Sequence, residues 1–337
     1  MALESGMKQE IGSEFWDVPT CDDRNFLFSE SPHWFLSGRS ALKAIIADIQ
    51  QGDKQVNSIS LPSWCCDSII CPFLEADMEV SFYPVLGSEQ QLDNITTDVV
   101  LVMDFFGYTG YSQIENYQGI VIRDVTHSLF SKQYDDADYY FGSLRKWAGF
   151  YTGGYAWGFK GSLPQLPENP DYVRLRREAM EAKKAYMEGT SDSKDYLKTF
   201  GQAEDMLEHC GVERADGIDC ESAFKLDVNF VKQRRQYNAS ILLEAFEHVA
   251  IFKDFQECDC PMFVPIMVPN GFRDNLRKYL IGHQIYCPVH WPVTEFHQLT
   301  TEERFIYDNE LSLVCDQRYD GDDMHRLIDT IYEFLKK

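Results

Sequence analysis

The chain has 337 residues, which is enough for one large α/β unit or for two domains. A hydrophobic fraction of 44% and an aromatic fraction of 14% exclude a disordered or fibrous protein. The formal net charge of −23 argues against binding to nucleic acid or anionic membranes, because both require a basic surface. An anionic small molecule remains a possible ligand, because salt screens distant charges within about 10 Å.

We expect a cytosolic protein that does not span a membrane. No apolar run reaches the roughly 18 residues of a transmembrane helix, and residues 1–17 are too polar for a signal peptide. The ten cysteines are then expected to be reduced. Neither the pair Cys65-Cys66 nor the pair Cys258-Cys260 has a second pair at zinc-like spacing, so we predict no metal site.

Short apolar runs alternate with helical patterns through the first half of the chain. The runs lack regular polar alternation, which indicates strands covered on both faces and hence a doubly wound, mostly parallel sheet. The predicted strands are residues 59–61, 80–83, 99–103, 120–122, 139–141 and 155–159, and the predicted helices are residues 40–51, 66–75 and 111–117.

A second, smaller α/β pattern follows a Pro-rich loop at residues 164–171. We predict helices at 172–188, 231–248, 272–283 and 322–335, and strands at 263–268 and 286–289. A domain boundary in or after the long helix at 231–248 would give a large domain at 1–240 and a small C-terminal domain at 241–337.

Polar residues follow three of the apolar runs. Ligands of parallel α/β sheets collect at the carboxyl ends of the strands. One run ends in Asp124, with His127 three residues later, and another leads through Ser143 to Lys146. The third run leads into Ser-Gly-Arg-Ser at 37–40, which opens a helix.

These residue types suit a site for pyridoxal phosphate (PLP). The amine of Lys146 can form a Schiff base with the cofactor aldehyde. The carboxylate of Asp124 can keep the pyridine nitrogen protonated, so that the ring accepts electrons. A phosphate binds free N–H groups at a helix N-terminus together with hydroxyls or a cation, which Gly38, Arg39 and Ser40 could supply with Ser143.

Each of these features also has an ordinary structural explanation. Most lysines are solvated surface groups, and an aspartate after a strand is commonly a turn residue or a helix cap. The Ser-Gly-Arg-Ser stretch could be simple capping. The spacing of the residues leaves these alternatives open.

The order of these motifs resembles that of the DegT/StrS-type sugar aminotransferases, which are PLP-dependent enzymes of fold type I. In that family an aspartate binds the pyridine nitrogen, Gln or His lies three residues on, and a lysine in a later serine-containing loop holds the cofactor. The matching positions are Asp124, His127 and Lys146, with Ser143 in the loop. The stretches 35–42, 61–66, 285–292 and 311–319 resemble further family segments, and the resemblance runs from about residue 10 to 335.

The chain departs from the family pattern at several positions. A gapless alignment puts Cys66, and not Trp64, where the family has the aromatic residue that stacks on the cofactor ring, so stacking could fall to Trp64, to His127 or to no residue. No counterpart is evident near 213–219 for the Asn-Tyr segment that family members lend to the partner's phosphate site. His290 matches a family histidine near the substrate, although it could simply pack at a strand end.

The resemblance implies a homodimeric PLP aminotransferase with Lys146 and Asp124 as catalytic residues. It would transfer an amino group from an amino acid such as glutamate to a keto-sugar nucleotide. One alternative is a PLP-dependent, dehydratase-like sugar enzyme, although such relatives tend to replace the lysine. The other is a non-catalytic protein that binds PLP or a sugar and regulates a partner.

Overall fold

The structure is a computed structural model that describes residues 10–23, 31–112, 114, 116–132 and 135–336. Its strands are β1 (Ile11–Gly12), β2 (His33–Phe35), β3 (Ser58–Pro62), β4 (Glu79–Tyr83), β5 (Val85–Leu86), β6 (Glu89–Gln90), β7 (Val99–Met103), β8 (Ile120–Asp124), β9 (Tyr139–Ser143), β10 (Gly154–Trp157), β11 (Phe263–Met267), β12 (Ile285–Tyr286) and β13 (Glu310–Val314). Its α-helices are α1 (Gly38–Gln50), α2 (Asp67–Glu75), α3 (Pro170–Met187), α4 (Tyr196–Glu208), α5 (Gly217–Ala223), α6 (Val228–Phe246), α7 (Arg273–Gly282), α8 (Thr301–Asn309) and α9 (Gly321–Leu335).

Seven strands form the central sheet in the order β2-β10-β9-β8-β7-β3-β4. Neighbouring strands pair in parallel except for β10, which is antiparallel to both β2 and β9. Strand β7 is buried at every position, as expected for a strand covered on both faces. The predicted mostly parallel α/β sheet is confirmed.

The helix predicted at residues 111–117 is wrong, because the described residues of that stretch do not form one. Gly110, just before the stretch, has a φ of 98° and Asn116 a φ of 59°, and neither value fits a right-handed helix. The strand predicted at 286–289 is also displaced, since β12 covers only Ile285–Tyr286. Helices α4, α5 and α8 are additions that the apolar pattern did not predict.

The two largest hydrophobic clusters lie in different parts of the chain. The first surrounds the central sheet with α1 and α2, and the second joins α6, α7 and α9 to strands β11 and β13. Two segments cross this division, because Ile11 of β1 belongs to the second core while Tyr307 of α8 belongs to the first. Helix α6 supplies Ala239 and Leu242 to the second core, so the proposed boundary near residue 240 falls inside a packed helix.

The N-terminal segment is attached to the C-terminal part of the chain. Strand β1 pairs in parallel with β12, and the buried carboxylate of Glu10 forms ion pairs with Lys183 and Lys194. Among the helices that the structure describes, none combines the length and apolar character needed to cross a bilayer.

Candidate active site

A cavity of about 610 Å³ lies where the carboxyl ends of β8 and β9 meet the C-terminal part of the chain. Its wall includes His127 and Lys146 from the sheet, and Glu204 from α4. Arg277 from α7 and His290 beyond β12 also line the cavity. The cavity therefore joins residues that lie far apart in the sequence.

Asp124 ends β8 and is buried, with 3% of its surface exposed. One carboxylate oxygen accepts a hydrogen bond from the backbone N–H of Thr126 at 2.8 Å, and Asp124 makes no ion pair within the described part of the chain. Burial raises the pKa of Asp124 to about 6, although the Thr126 hydrogen bonds and the charge of Lys146 lower it. Such a carboxylate is poorly compensated, and a protonated ring nitrogen would supply the missing cation.

Lys146 closes a short 3-10 turn, Leu144–Lys146, directly after β9. Because β8 and β9 pair in parallel, with Asp124 opposite Phe141, this turn lies beside the end of β8. The Lys146 amine makes no hydrogen bond or ion pair with any other described residue, and the side chain lines the cavity. An accessible amine without an ion-pair partner suits a lysine that binds a cofactor aldehyde.

The start of α1 lies against the end of β9, where the sequence predicts a phosphate site. A Cβ atom built on Gly38 would lie 3.5 Å from the Cβ of Ser143. A Cβ on Gly154 would lie only 2.1 Å from the carbonyl oxygen of Ser37, so a glycine in β10 is required for this close approach. Within the described residues the Ser143 hydroxyl has no hydrogen-bond partner.

The other side chains at the start of α1 already have partners. The Ser37 hydroxyl caps the helix by accepting from the backbone N–H of Ser40, whose own hydroxyl donates to the carbonyl of Gly211 at 2.8 Å. The Arg39 guanidinium donates to the carbonyl of Leu207 at 3.2 Å. Phosphate recognition here would therefore depend on the first-turn N–H groups and on Ser143.

His127 is buried among aromatic rings. Its ring lies parallel to Phe106 at a centroid distance of 5.0 Å and to Trp291 at 5.9 Å. Its Nδ1 accepts a hydrogen bond from the backbone N–H of Phe106 at 3.3 Å. Burial holds the pKa of His127 well below its usual range, and nearby His290 and Lys146 lower it further, so the ring is neutral near pH 7.

The two candidates for the ring-stacking position lie in different surroundings. Trp64 stacks on Phe105 at a centroid distance of 4.9 Å inside the first core and does not line the cavity. Cys66 is half-buried, with Sγ 2.8 Å from the Ser68 hydroxyl. Burial raises the pKa of Cys66 while the charge of Lys146 lowers it, so the thiol lies within electrostatic reach of the amine. Neither Trp64 nor Cys66 lines the cavity, although the Trp64 ring lies 5.8 Å from that of Trp291, which does. The residue that stacks on the cofactor ring stays a prediction.

Several charged residues of the cavity wall were not predicted as site residues. Arg145 forms an ion pair with Glu204, and Arg318 forms one with Asp316 at 2.8 Å. Arg277 donates through Nε to the carbonyl of Cys287 at 3.3 Å and has no carboxylate partner among the described residues. Glu204 escaped prediction because α4 itself was not predicted, and Arg277 because no local motif marks an arginine that reaches a distant cavity.

No sequence-family model matches this chain, and no curated protein matches it in sequence. Comparison of structures instead gives many matches, each with low identity. Helicobacter pylori PseC, an aminotransferase involved in the biosynthesis of pseudoaminic acid, is 14% identical with a TM-score of 0.65, and the match covers 95% of this chain and 99% of that one.

Two further structures show the same similarity. A DegT DnrJ EryC1 StrS aminotransferase from Brucella abortus is 14% identical with a TM-score of 0.60, over 91% of this chain and 87% of that one. The putative sugar aminotransferase Spr1654 from Streptococcus pneumoniae, in its PLP form, is 14% identical with a TM-score of 0.60, over 89% and 86%. The chain thus has the fold of these aminotransferases, which confirms the predicted fold type.

Proposed function

We propose that this protein is a PLP-dependent aminotransferase in which Lys146 holds the cofactor. The observation that carries this proposal is the placement of Asp124 and Lys146 at the ends of adjacent parallel strands, with Lys146 and His127 lining one cavity. Among the residues that the structure describes, the buried carboxylate of Asp124 and the accessible amine of Lys146 each form no ion pair. The two residues supply the two groups that PLP needs, in the fold of known aminotransferases.

The bound cofactor would supply an electron sink for a carbanion at the substrate carbon. Asp124 keeps the proton on the ring nitrogen, since its buried carboxylate is stabilised by that positive charge. With the cofactor bound, Lys146 would be the base that moves a proton at the substrate carbon. Ser143 and the first-turn N–H groups of Gly38 and Arg39 would hold the phosphate, and Cys66 is a candidate contact of the ring.

We propose an amino acid such as glutamate as the amino donor and a keto-sugar nucleotide as the acceptor. The structures that this chain resembles include sugar aminotransferases. Arg39, Arg145 and Arg318 already bind protein groups, so none of them is free to clamp a second substrate carboxylate. Arg277 faces the cavity without a carboxylate partner among the described residues, and we assign it to the anionic part of the acceptor.

We also propose a cytosolic homodimer that does not bind nucleic acid. The ten cysteines are all free in the structure, as a reducing compartment would leave them. The net charge of −23 disfavours nucleic acid. Sedimentation should show a dimer, and a stable monomer with full activity would contradict that assembly.

The assignment is tested by trapping the cofactor on its lysine. Protein incubated with PLP is reduced with borohydride, digested and mapped by mass spectrometry, and we expect the adduct on Lys146. Lys146→Arg should lose the adduct, whereas Lys160→Arg, at an exposed lysine after β10, should keep it. An adduct on another lysine, or no retained cofactor at saturating PLP, would refute the site. A trapped adduct without amino transfer from glutamate to any keto-sugar nucleotide would favour a regulatory role.

A further inference from the structure

A chain of buried hydrogen bonds from β13 holds His290 at the cavity. Glu310 and Ser312 are both fully buried. The Ser312 hydroxyl donates to Oε1 of Glu310 at 2.5 Å, and the backbone N–H of His290 donates to Oε2 at 2.7 Å. The Ser312 oxygen also lies 2.8 Å from Nδ1 of His290. The imidazole is thus fixed through its backbone and through its ring.

The single hydroxyl proton of Ser312 determines the tautomer of His290. A serine hydroxyl has one proton, and Ser312 donates it to Oε1 of Glu310. The Ser312 oxygen must therefore accept from His290, which places a proton on Nδ1. The remaining polar atom of the ring, Nε2, has no partner among the residues that the structure describes, and the side chain lines the cavity.

His127 has the opposite arrangement. Its Nδ1 accepts from the backbone N–H of Phe106, so the neutral ring carries its proton on Nε2. The two imidazole centroids are 6.1 Å apart. When both rings are neutral, these two histidines of one cavity are held in opposite tautomers. Within the described residues, His127 then has a free donor at Nε2 and His290 a free acceptor at Nε2.

We propose that Glu310 and Ser312 are positioning residues that present Nε2 of His290 as the acceptor for a hydroxyl group of the substrate. An acceptor nitrogen binds a hydroxyl donor and disfavours carboxylate and phosphate oxygens, which only accept. The rings of Phe106 and Phe263, each 5.1 Å from the imidazole centroid, offer it no competing polar partner. This inference rests on the proposed function, because it places the hydroxyl-bearing sugar of the acceptor next to His290.

The tautomer can be measured without any substrate. In protein labelled with 15N-histidine, the ring signals of His290 are assigned by comparison with His290→Gln. At mildly alkaline pH we expect a protonated Nδ1 and a bare Nε2. Ser312→Ala removes the acceptor that selects this form, so the Nε2–H form should gain population. A ring that is mainly Nε2–H in the unaltered protein, or ring signals unchanged by Ser312→Ala, would overturn the proposal.

The matched control is Glu303→Gln. Glu303 is also a buried glutamate, and its carboxylate accepts from the backbone N–H of Thr300 at 2.7 Å, but it does not contact His290. This variant should leave the His290 signals in place. A shift as large as that of Ser312→Ala would mean that general destabilisation, and not the hydrogen-bond chain, sets the tautomer.

Kinetics separate positioning from a merely structural role. Ser312→Ala and Glu310→Gln should raise KM for a hydroxylated acceptor about 5- to 30-fold, the value of one lost hydrogen bond. The half-reaction with glutamate should keep its rate, and one deoxy acceptor in a panel should show no penalty in the variants. If Glu310→Gln does not fold, Ser312→Ala, which removes a single oxygen, carries the test alone.

The outcomes distinguish the two proposals. An equal loss in both half-reactions would overturn the positioning role even in an active aminotransferase. If no keto-sugar nucleotide reacts at all, the proposed function fails, while the tautomer measurement still decides whether Glu310 and Ser312 hold His290 as described.

Discussion

Two buried aspartates end adjacent strands of the same sheet, yet their surroundings differ. Asp104 follows β7 and Asp124 ends β8, with exposed fractions of 2% and 3%. The carboxylate of Asp104 accepts from Arg123 at 2.6 Å and from the hydroxyls of Ser112 and Ser128 at 2.5 and 2.8 Å. Among the described residues, Asp124 accepts hydrogen bonds only from Thr126. The two carboxylates are therefore alike in burial and position and differ in the number of their partners.

The largest effect on stability is expected at Asp104, whose carboxylate has several hydrogen-bond partners. Asp104→Asn should lower the free energy of unfolding by about 3–5 kcal/mol, because the fully buried Arg123 loses one of its two acids. Urea unfolding of the cofactor-free protein measures this. The exposed Asp53→Asn serves as the control and should have little effect. A stable Asp104→Asn protein would show that the ion pair is not structural.

On the functional side, Asp124→Asn should still bind the cofactor covalently at Lys146 but lose turnover. Loss of the anion that keeps the ring nitrogen protonated should lower kcat about 100- to 1000-fold, as for other electrostatic contacts to a reacting group. Steady-state assays with glutamate as donor check this. An unchanged kcat would mean that another residue holds the ring nitrogen.

The pH dependence of stability offers a third test. The pKa of Asp124 is about 6 in the folded protein, above its ordinary value of 3.8, so the native state holds this proton more tightly than the unfolded state. The cofactor-free protein should therefore lose stability as pH rises from about 4 to 6, by about 3 kcal/mol from this group. Asp124→Asn should remove this part of the pH profile. If the stability difference between the unaltered protein and Asp124→Asn does not change between about pH 4 and 6, the raised pKa is contradicted.

The sequence predicted the positions that depend on local order. Asp124 and Lys146 each follow an apolar run, and parallel pairing of those runs brings them together. The stacking position could not be predicted, because the orientation of Trp64 depends on its packing against Phe105 from another strand end. The helix at 111–117 was wrong because a positive φ at Asn116, which the apolar pattern does not reveal, breaks it.

The part of the cavity wall that α4 and α7 form could not be predicted for a related reason. It forms only when β1 pairs with β12 and when α4 packs beside the lysine turn, and both contacts join distant parts of the chain. Glu204 and Arg277 lie on helices whose sequences look like ordinary solvated surface. As for the two aspartates, their role depends on the hydrogen-bond and ion-pair partners that the tertiary structure places next to them.

The smallest effect is expected for two arginines that line the cavity, Arg318 and Arg277, which also differ in their partners. Arg318 is held by Asp316 and by the carbonyls of Ser13 and Glu14. Among the described residues, Arg277 bonds only the carbonyl of Cys287. The charge of Arg318 is thus paired with a carboxylate of the protein. The charge of Arg277 has no such partner among the described residues and is available to bind an anionic ligand.

Arg277→Gln should raise KM for the sugar-nucleotide acceptor about tenfold or more, since a hydrogen bond to a charged group contributes about 1.5–3 kcal/mol. The effect should shrink as salt is added, because Arg277 is exposed and its charge is screened. Lys278→Gln is the matched control: Lys278 is the next exposed cation on α7 and does not line the cavity. Assays of the amine-loaded enzyme with keto-sugar nucleotides and with common 2-oxo acids measure the acceptor preference. If several 2-oxo acids react faster than every keto-sugar nucleotide, and Arg277→Gln slows them, then Arg277 binds a carboxylate and the protein acts in amino-acid metabolism.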